Sequence, residues 1–185
     1  MSPHYRRARI QGGMYFFTVV TFRRRPILTC DAMRQSLREA VIETRKSHPF
    51  RIDAWVLLPD HLHCIWTLPS GDNRFSARWS LIKRYVSRGS GSLFTFGAES
   101  LPSSRRSRNE SGIWQRRFWE HAIRDQADFN RHVDYIHWNP VKHGLVQRPI
   151  DWPWSTFHRF VKAGVYPADW GGAAARDLPM AEFGE

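Results

Sequence analysis

The order of the secondary-structure signals predicts an α+β domain, an antiparallel sheet with helices packed on it. Three observations carry this. Strand-like β-branched and aromatic runs alternate with stretches of helical periodicity in the order β-α-β-β-α-β-α. Two of the strand-like runs are joined by Pro59-Asp60 alone, a turn that suits an antiparallel pair. The chain has 185 residues, 42% of them hydrophobic, enough for the core of one domain.

Gly12-Gly13 punctuate the start. Tyr15 to Phe22 (YFFTVVTF) is β-branched and aromatic throughout and reads as a buried strand, ended by Arg23-Arg24-Arg25-Pro26. Asp31 is placed to cap a helix running to about Lys46, with Met33, Leu37, Ala40 and Val41 at helical spacing and Pro49 beyond its end. Phe50 to Leu58 is a second strand, in which Ile52, Ala54, Val56 and Leu58 alternate against Asp53, Trp55 and Leu57. His61 to Leu68 is the third strand. Ser76 to Ser87 reads as a second helix, with Trp79, Ile82 and Val86 inward and Arg78, Lys83 and Arg84 available to solvent or DNA. From Gly89 to Gly112 the composition shifts to Ser, Gly, Pro and Arg, which reads as a mobile loop inside one domain of residues 1–170. Trp114 to Ile123 is expected as a fourth strand. Asp125 or Asp128 starts a third helix that runs to Trp138 or Asn139, where Pro140 limits it. The chain is then aromatic and turn-rich through Trp152-Pro153-Trp154, and residues 171–185 read as a loosely ordered tail.

Charge narrows the partners. The formal net charge is +11 and the pI about 10.6, which speaks to binding rather than to fold. Aromatic residues make up 14% of the chain, nine of them Trp, and bases stack on aromatic faces while Arg and Lys take phosphates. Nucleic acid is therefore the favoured partner. The two cysteines, Cys30 and Cys64, form no CxxC pair, which argues against a zinc finger or a thioredoxin-type motif and fits a reduced, cytoplasmic protein. No apolar run follows the basic N-terminus, none is long enough to span a membrane, and no GxxxxGK[ST] suggests ATP-driven chemistry.

Two short stretches carry chemistry. In His61-Leu62-His63 the strand period puts both imidazoles, with Ile65, on one face, and Leu62, Cys64 and Trp66 on the other. In the third helix Phe129, Val133 and Ile136 form the core stripe, and Tyr135 and Asn139 lie one turn apart on its flank. Two imidazoles and an amide oxygen can hold a divalent metal on a DNA phosphate, and a tyrosine beside it can attack that phosphate. Zinc would want a tetrahedral set, and no Cys or carboxylate is placed to complete one. Taken singly, each feature has a plainer reading: two ordinary histidines near a turn, a half-buried helix tyrosine, an asparagine tolerated at a helix end.

Longer blocks add a family. Pro59-Asp60-His61-Leu62-His63, Trp114-Gln115-Arg116-Arg117-Phe118-Trp119-Glu120-His121 and the run Tyr135-Ile136-His137-Trp138-Asn139-Pro140-Val141-Lys142-His143-Gly144-Leu145-Val146, in this order, resemble the REP-associated tyrosine transposases. These are relatives of the IS200/IS605 single-strand transposases in the HUH endonuclease superfamily. Tyr15-Phe16-Phe17-Thr18 and Asp151-Trp152-Pro153-Trp154-Ser155-Thr156-Phe157 belong to the likeness, which runs from about Tyr5 to Trp170. The Ser/Arg-rich segment between Gly89 and Gly112 departs from it.

The resemblance implies a ferredoxin-like antiparallel sheet with helices packed on it, followed by an aromatic-rich C-terminal tail. It makes His61 and His63 metal ligands, Asn139 the third ligand, Tyr135 the nucleophile and Mg²⁺ or Mn²⁺ the metal. The product would be a 5′-phosphotyrosine and a free 3′-OH, and the substrate single-stranded DNA carrying a REP-type hairpin. No general base is evident. His132, one turn before Tyr135, is a candidate, while His121 and His137 read as packing or phosphate contacts. DNA contacts are expected from Tyr5, Arg6, Arg7 and Arg9, from Arg23, Arg24 and Arg25, from Lys83 and Arg84, and from Arg116 and Arg117. A monomer on the bacterial nucleoid is expected, with no membrane partner. Three rivals stand beside this reading: a hairpin binder that no longer cuts, a plasmid-type relaxase, and an RNA-binding protein on a ferredoxin-like sheet.

Overall fold

The computed structural model describes residues 9–90, 94, 101–108 and 110–171. Tyr5, Arg6, Arg7, residues 91–93, 95–100 and 109 of the expected loop, and nearly all of the expected tail lie outside the described residues. Four strands, β1 (Met14–Val20), β2 (Arg51–Leu57), β3 (His61–Thr67) and β4 (Trp119–Ala122), form one sheet in the order β2-β3-β1-β4, with every pair antiparallel. The helices are α1 (Asp31–Ser47), α2 (Phe75–Gly89), the single turn α3 (Ser103–Arg106), α4 (Gln126–Lys142) and the short α5 (Phe157–Lys162). This is the ferredoxin-like arrangement the sequence implied.

The two central strands are buried on both faces, and strand alternation sends each set of side chains to a different layer. Tyr15, Phe17 and Val19 of β1, with Leu62, Cys64 and Trp66 of β3, pack under α1 and α2. There Trp66 stacks on Trp79 at 4.3 Å and tilts against Phe50 at 4.1 Å. On the other face Phe16, Ile65, Ala54 and Val56 meet Val133, Tyr135 and Ile136 of α4. The register opposes Val20 to His61, Thr18 to His63 and Phe16 to Ile65, so both histidines fall on the α4 side.

The outer edge of β2 is covered. Leu57 donates to the Trp154 carbonyl and Thr156 to the Trp55 carbonyl, both at 2.9 Å, and the Trp152 indole donates to the Leu57 carbonyl at 2.9 Å. An edge strand tied down in this way offers no template for another chain. Gly89 lets α2 end close against α1: a Cβ there would come 2.9 Å from Ser36 Oγ.

Several elements differ from expectation, each for a physical reason. A register shift between Ile52 and Ala54 turns Ile52 to the α1–α2 face, away from Ala54 and Val56. The fourth strand is shorter than Trp114 to Ile123. Trp114 bridges Thr21 and Gln115 donates to Val20, then the chain breaks at Arg116-Arg117 before β4. Arg78 is not available to DNA. It is 1% exposed and hydrogen-bonds both Asp72 carboxylate oxygens at 3.1 Å and the Pro49 carbonyl at 2.7 Å. Pro140 does not end its helix, because α4 continues to Lys142 with His143 donating to the Asn139 carbonyl at 3.0 Å. Proline removes one donor, and here the following turn closes without it. Asp125 is the N-cap of α4, its carboxylate accepting from the Asp128 backbone N–H at 2.8 Å.

Candidate active site

β3 builds the first half of the site. His61 and His63 are buried, at 1% and 0% exposure, and their ring centroids are 4.9 Å apart, nearly perpendicular. His61 Nδ1 is 2.6 Å from Asp60 Oδ1, and Asp60 Oδ2 accepts from Arg24 at 3.1 Å. A neutral imidazole that donates Nδ1–H to a carboxylate carries its lone pair on Nε2. His61 Nε2 is buried and has no hydrogen-bond partner. Burial works to raise the Asp60 carboxyl, but the His61 ring and the Arg24 guanidinium hold it below its ordinary range. His63 Nδ1 is hydrogen-bonded to Thr18 Oγ1 at 2.9 Å, across the β1–β3 pair.

The turn that carries Arg24 is strained. Arg23 and Arg24 have φ of 58° and 50°, the left-handed region that costs a non-glycine residue about 1 kcal/mol or more. The Arg24–Asp60 pair and the Thr21 hydroxyl, which donates to the Arg25 or Asp60 carbonyl at 2.9 Å, hold it beside His61.

α4 builds the second half. Asp128, His132, Tyr135 and Asn139 are all buried and follow one another at helical spacing, forming a polar stripe laid on the sheet. Tyr135 is not on the flank of the core stripe, as the spacing suggested, but within the core at 3% exposure. Its ring lies 5.2 Å from His63 and 6.0 Å from Phe16, while Phe16 stacks on His63 at 5.5 Å. Asn139 is one turn further along the stripe and fully buried.

Because α4 runs through Pro140, two more groups arrive. Lys142 donates to Tyr135 Oη at 3.4 Å, and its ammonium is 5.1 Å from the Tyr135 ring centroid. His143 stands edge-on to His61 at 5.0 Å. Neither was among the expected site residues. The helical count, seven residues from Tyr135 to Lys142, would have found the lysine had the helix been carried past the proline.

The donor set fits a hard or borderline divalent cation. A buried imidazole nitrogen without a partner, a second imidazole beside it and a buried amide one helical turn from the tyrosine are donors of the kind such a cation accepts. Another cluster lies further along the stripe, where ligand atoms of His121, Asp128 and His132 fall within 4.8 Å of one another. Asp128 there accepts from His121 at 2.9 Å and from Arg124 and Arg131 at 3.1 and 3.2 Å. Those bonds outweigh burial and hold its carboxyl well below the usual range. Cations already surround it, so the cluster acts as a clamp fixing the start of α4 on β4. His132 is bonded to the Asp128 carbonyl, and its ring contacts Phe16 and His121. Burial lowers its pKa, as it does that of His137, which falls to about 3 among Phe157, Phe160 and Tyr166.

The expected DNA contacts separate. Arg9, Arg23 and Arg117 are exposed. Arg24 is engaged by Asp60, and Arg25 donates to the Phe94 carbonyl at 2.6 Å. Lys83 and Arg84, with Arg88 and Arg116, line a basic cavity of about 470 Å³ between α2 and the segment following α3. Arg105 and Glu110 complete it, the carboxylate pairing with Arg105 at 3.0 Å and with Arg116 at 2.8 Å. The Ser/Arg-rich segment therefore supplies one wall of this cavity.

No family model matches the chain. A REP-associated tyrosine transposase of Escherichia coli K12 is 49% identical over 169 residues, 91% of this chain and 90% of that protein. A putative REP-associated tyrosine transposase of Haemophilus influenzae is 43% identical over 169 residues, 91% of this chain and 93% of that protein. Among solved structures, a REP-associated tyrosine transposase bound to a REP hairpin matches with a TM-score of 0.79 and 47% identity, over 100% of this chain and 98% of that one. Identity at this level over nine-tenths of the sequence, on a shared sheet and helix arrangement, agrees with the motif resemblance: this chain belongs to the REP-associated tyrosine transposases.

Proposed function

We propose that the chain recognises REP-type DNA hairpins and cleaves and rejoins single-stranded DNA beside them through a 5′-phosphotyrosine on Tyr135. His61, His63 and Asn139 would hold Mg²⁺ or Mn²⁺. The observation that carries the reading is the meeting of the Tyr135 ring with His63, at 5.2 Å, beside a His61 Nε2 that is buried without a hydrogen-bond partner. The relative bound to a REP hairpin supports the choice of DNA.

Each group has a task. When bound there, such a cation would supply Lewis-acid polarisation of the scissile phosphate. Asp60 fixes the His61 ring so that Nε2 faces inward, and Thr18 orients His63. Tyr135 Oη attacks phosphorus. The Oη–P bond forms, the P–O3′ bond breaks, the phenol proton passes to solvent and the departing 3′ oxygen takes one up. Attack by a 3′-OH on the phosphotyrosine reverses the step and rejoins a strand, so no nucleotide triphosphate is needed. The cavity bounded by Lys83, Arg84, Arg88 and Arg116 supplies positive charge for the DNA backbone.

One observation favours a second reading, a hairpin binder that does not cut: Tyr135 is only 3% exposed. A labelled REP-hairpin oligonucleotide incubated with Mn²⁺ and run on a denaturing gel separates the two. A slow-migrating covalent band that needs metal and disappears in Tyr135→Phe supports cleavage. Tight binding with no such band in any metal supports the silent binder.

A further inference from the structure

The mechanism above leaves Lys142 without a task. Lys142 is the last residue of α4, two turns beyond Tyr135, and its side chain is exposed while Tyr135 is nearly buried. Its ammonium lies 3.4 Å from Tyr135 Oη and 5.1 Å from the ring centroid. The one atom of Tyr135 that must meet DNA therefore has a cation beside it on the solvent side.

We propose that Lys142 is a catalytic residue of this site, its ammonium ion-pairing a non-bridging oxygen of the phosphate that Tyr135 attacks. The proposal rests on the reading of Tyr135 as the nucleophile. A 3.4 Å contact to a neutral hydroxyl is long for a hydrogen bond. The gain comes as the Oη–P bond forms. Phosphorus is then bonded to Oη, its non-bridging oxygens lie one bond further, and they carry more charge in the transition state than in the bound diester. A cation fixed at Oη is within reach of those oxygens and stabilises the transition state more than the ground state. The same contact would hold the phosphotyrosine until a 3′-OH attacks it. A plainer role is available, since a lysine in the last turn of a helix also complements the helix dipole. That role would act on stability and not on the chemical step.

The test is single-turnover cleavage of a REP-hairpin oligonucleotide, with protein in excess and saturating Mn²⁺, by the full chain and by Lys142→Ala and Lys142→Arg. Lys142→Ala should slow formation of the covalent adduct by about 10²–10³-fold, the usual loss for one such contact. Hairpin affinity should stay within about threefold, because the interaction strengthens only in the transition state. Lys142→Arg should recover most of the rate, since a guanidinium also pairs phosphate oxygens. A phosphorothioate at the scissile position gives a readout a structural role would not move: for one diastereomer the difference between wild type and Lys142→Ala should shrink. If Lys142→Ala forms adduct at the wild-type rate, or if Arg is no better than Ala, the proposal is overturned while Tyr135 keeps its role. If wild type forms no adduct although the hairpin binds, both readings fall together.

Discussion

If His61 holds the proposed cation, replacing Asp60 by alanine removes the group that orients its ring. Asp60 Oδ1 is 2.6 Å from His61 Nδ1, and its other oxygen accepts from Arg24 at 3.1 Å. Without the carboxylate the His61 ring loses both its orientation and the bond that places the lone pair on Nε2. Arg24, in a left-handed backbone at φ 50°, loses its anchor as well. Outer partners of metal-binding histidines are typically worth 10–100-fold in metal affinity, about 1.4–2.7 kcal/mol. Mn²⁺ affinity of Asp60→Ala should therefore fall by that factor, read as the free-ion paramagnetic resonance signal in a titration. Asp60→Asn keeps an acceptor oxygen without the charge and should fall between wild type and alanine. His61→Ala sets the scale for losing a ligand outright. If Asp60→Ala binds Mn²⁺ as tightly as wild type while His61→Ala does not, the carboxylate is not what orients the ligand. If His61→Ala also binds normally, the metal lies elsewhere.

Three further outcomes are expected. Asp72→Ala strands the Arg78 guanidinium, 1% exposed, with only carbonyl acceptors, and should cost about 3–5 kcal/mol in urea unfolding at pH 7. Hydrogen bonds from Arg78 hold the Asp72 carboxyl down at about 2 from an ordinary 3.8. Its folded value is below its unfolded one, so the contribution is fully present above about pH 4 and is lost as pH falls through about 2. The stability gap between wild type and Asp72→Ala should narrow over that window, and a constant gap would contradict the ion pair. Replacing Lys83, Arg84 and Arg88 together by alanine should lower the salt slope of hairpin binding by about 2–3 units if the cavity they line follows the backbone. Arg25→Ala removes one charge that does not line that cavity and should lower the slope by less than about one unit.

The sheet was legible because strand alternation is rigid. Once His61 to Leu68 is a strand, His61 and His63 must share a face and Leu62, Cys64 and Trp66 must take the other. The same rule failed at Ile52, where an irregular pairing register inverts the pattern and leaves no mark in the residue types. Helix faces were less certain. Phe129, Val133 and Ile136 did form an apolar stripe, but the core also accepts Tyr135, because Phe16 and His63 offer it aromatic faces. Arg78 looked like a surface cation because its partners, Asp72 and the carbonyls of His48 and Pro49, come from two other stretches of chain. Pro140 misled in the same way. A proline in the last turn costs one hydrogen bond, which the packing of α4 on β2 and β3 outweighs, and past it lie Lys142 and His143. Asp60 was visible only as a turn residue, since nothing in a sequence shows that its side chain folds back onto the next imidazole.

The proposed function requires that Tyr135 become covalently joined to DNA. The most direct test incubates the protein with a REP-hairpin oligonucleotide and Mn²⁺, digests both nuclease and protease sites, and identifies the modified peptide by mass spectrometry. A nucleotide joined through a 5′-phosphate to the peptide containing Tyr135 is expected, present in wild type and absent in Tyr135→Phe. An adduct on any other residue, or no adduct from a preparation shown to bind the hairpin, would contradict it.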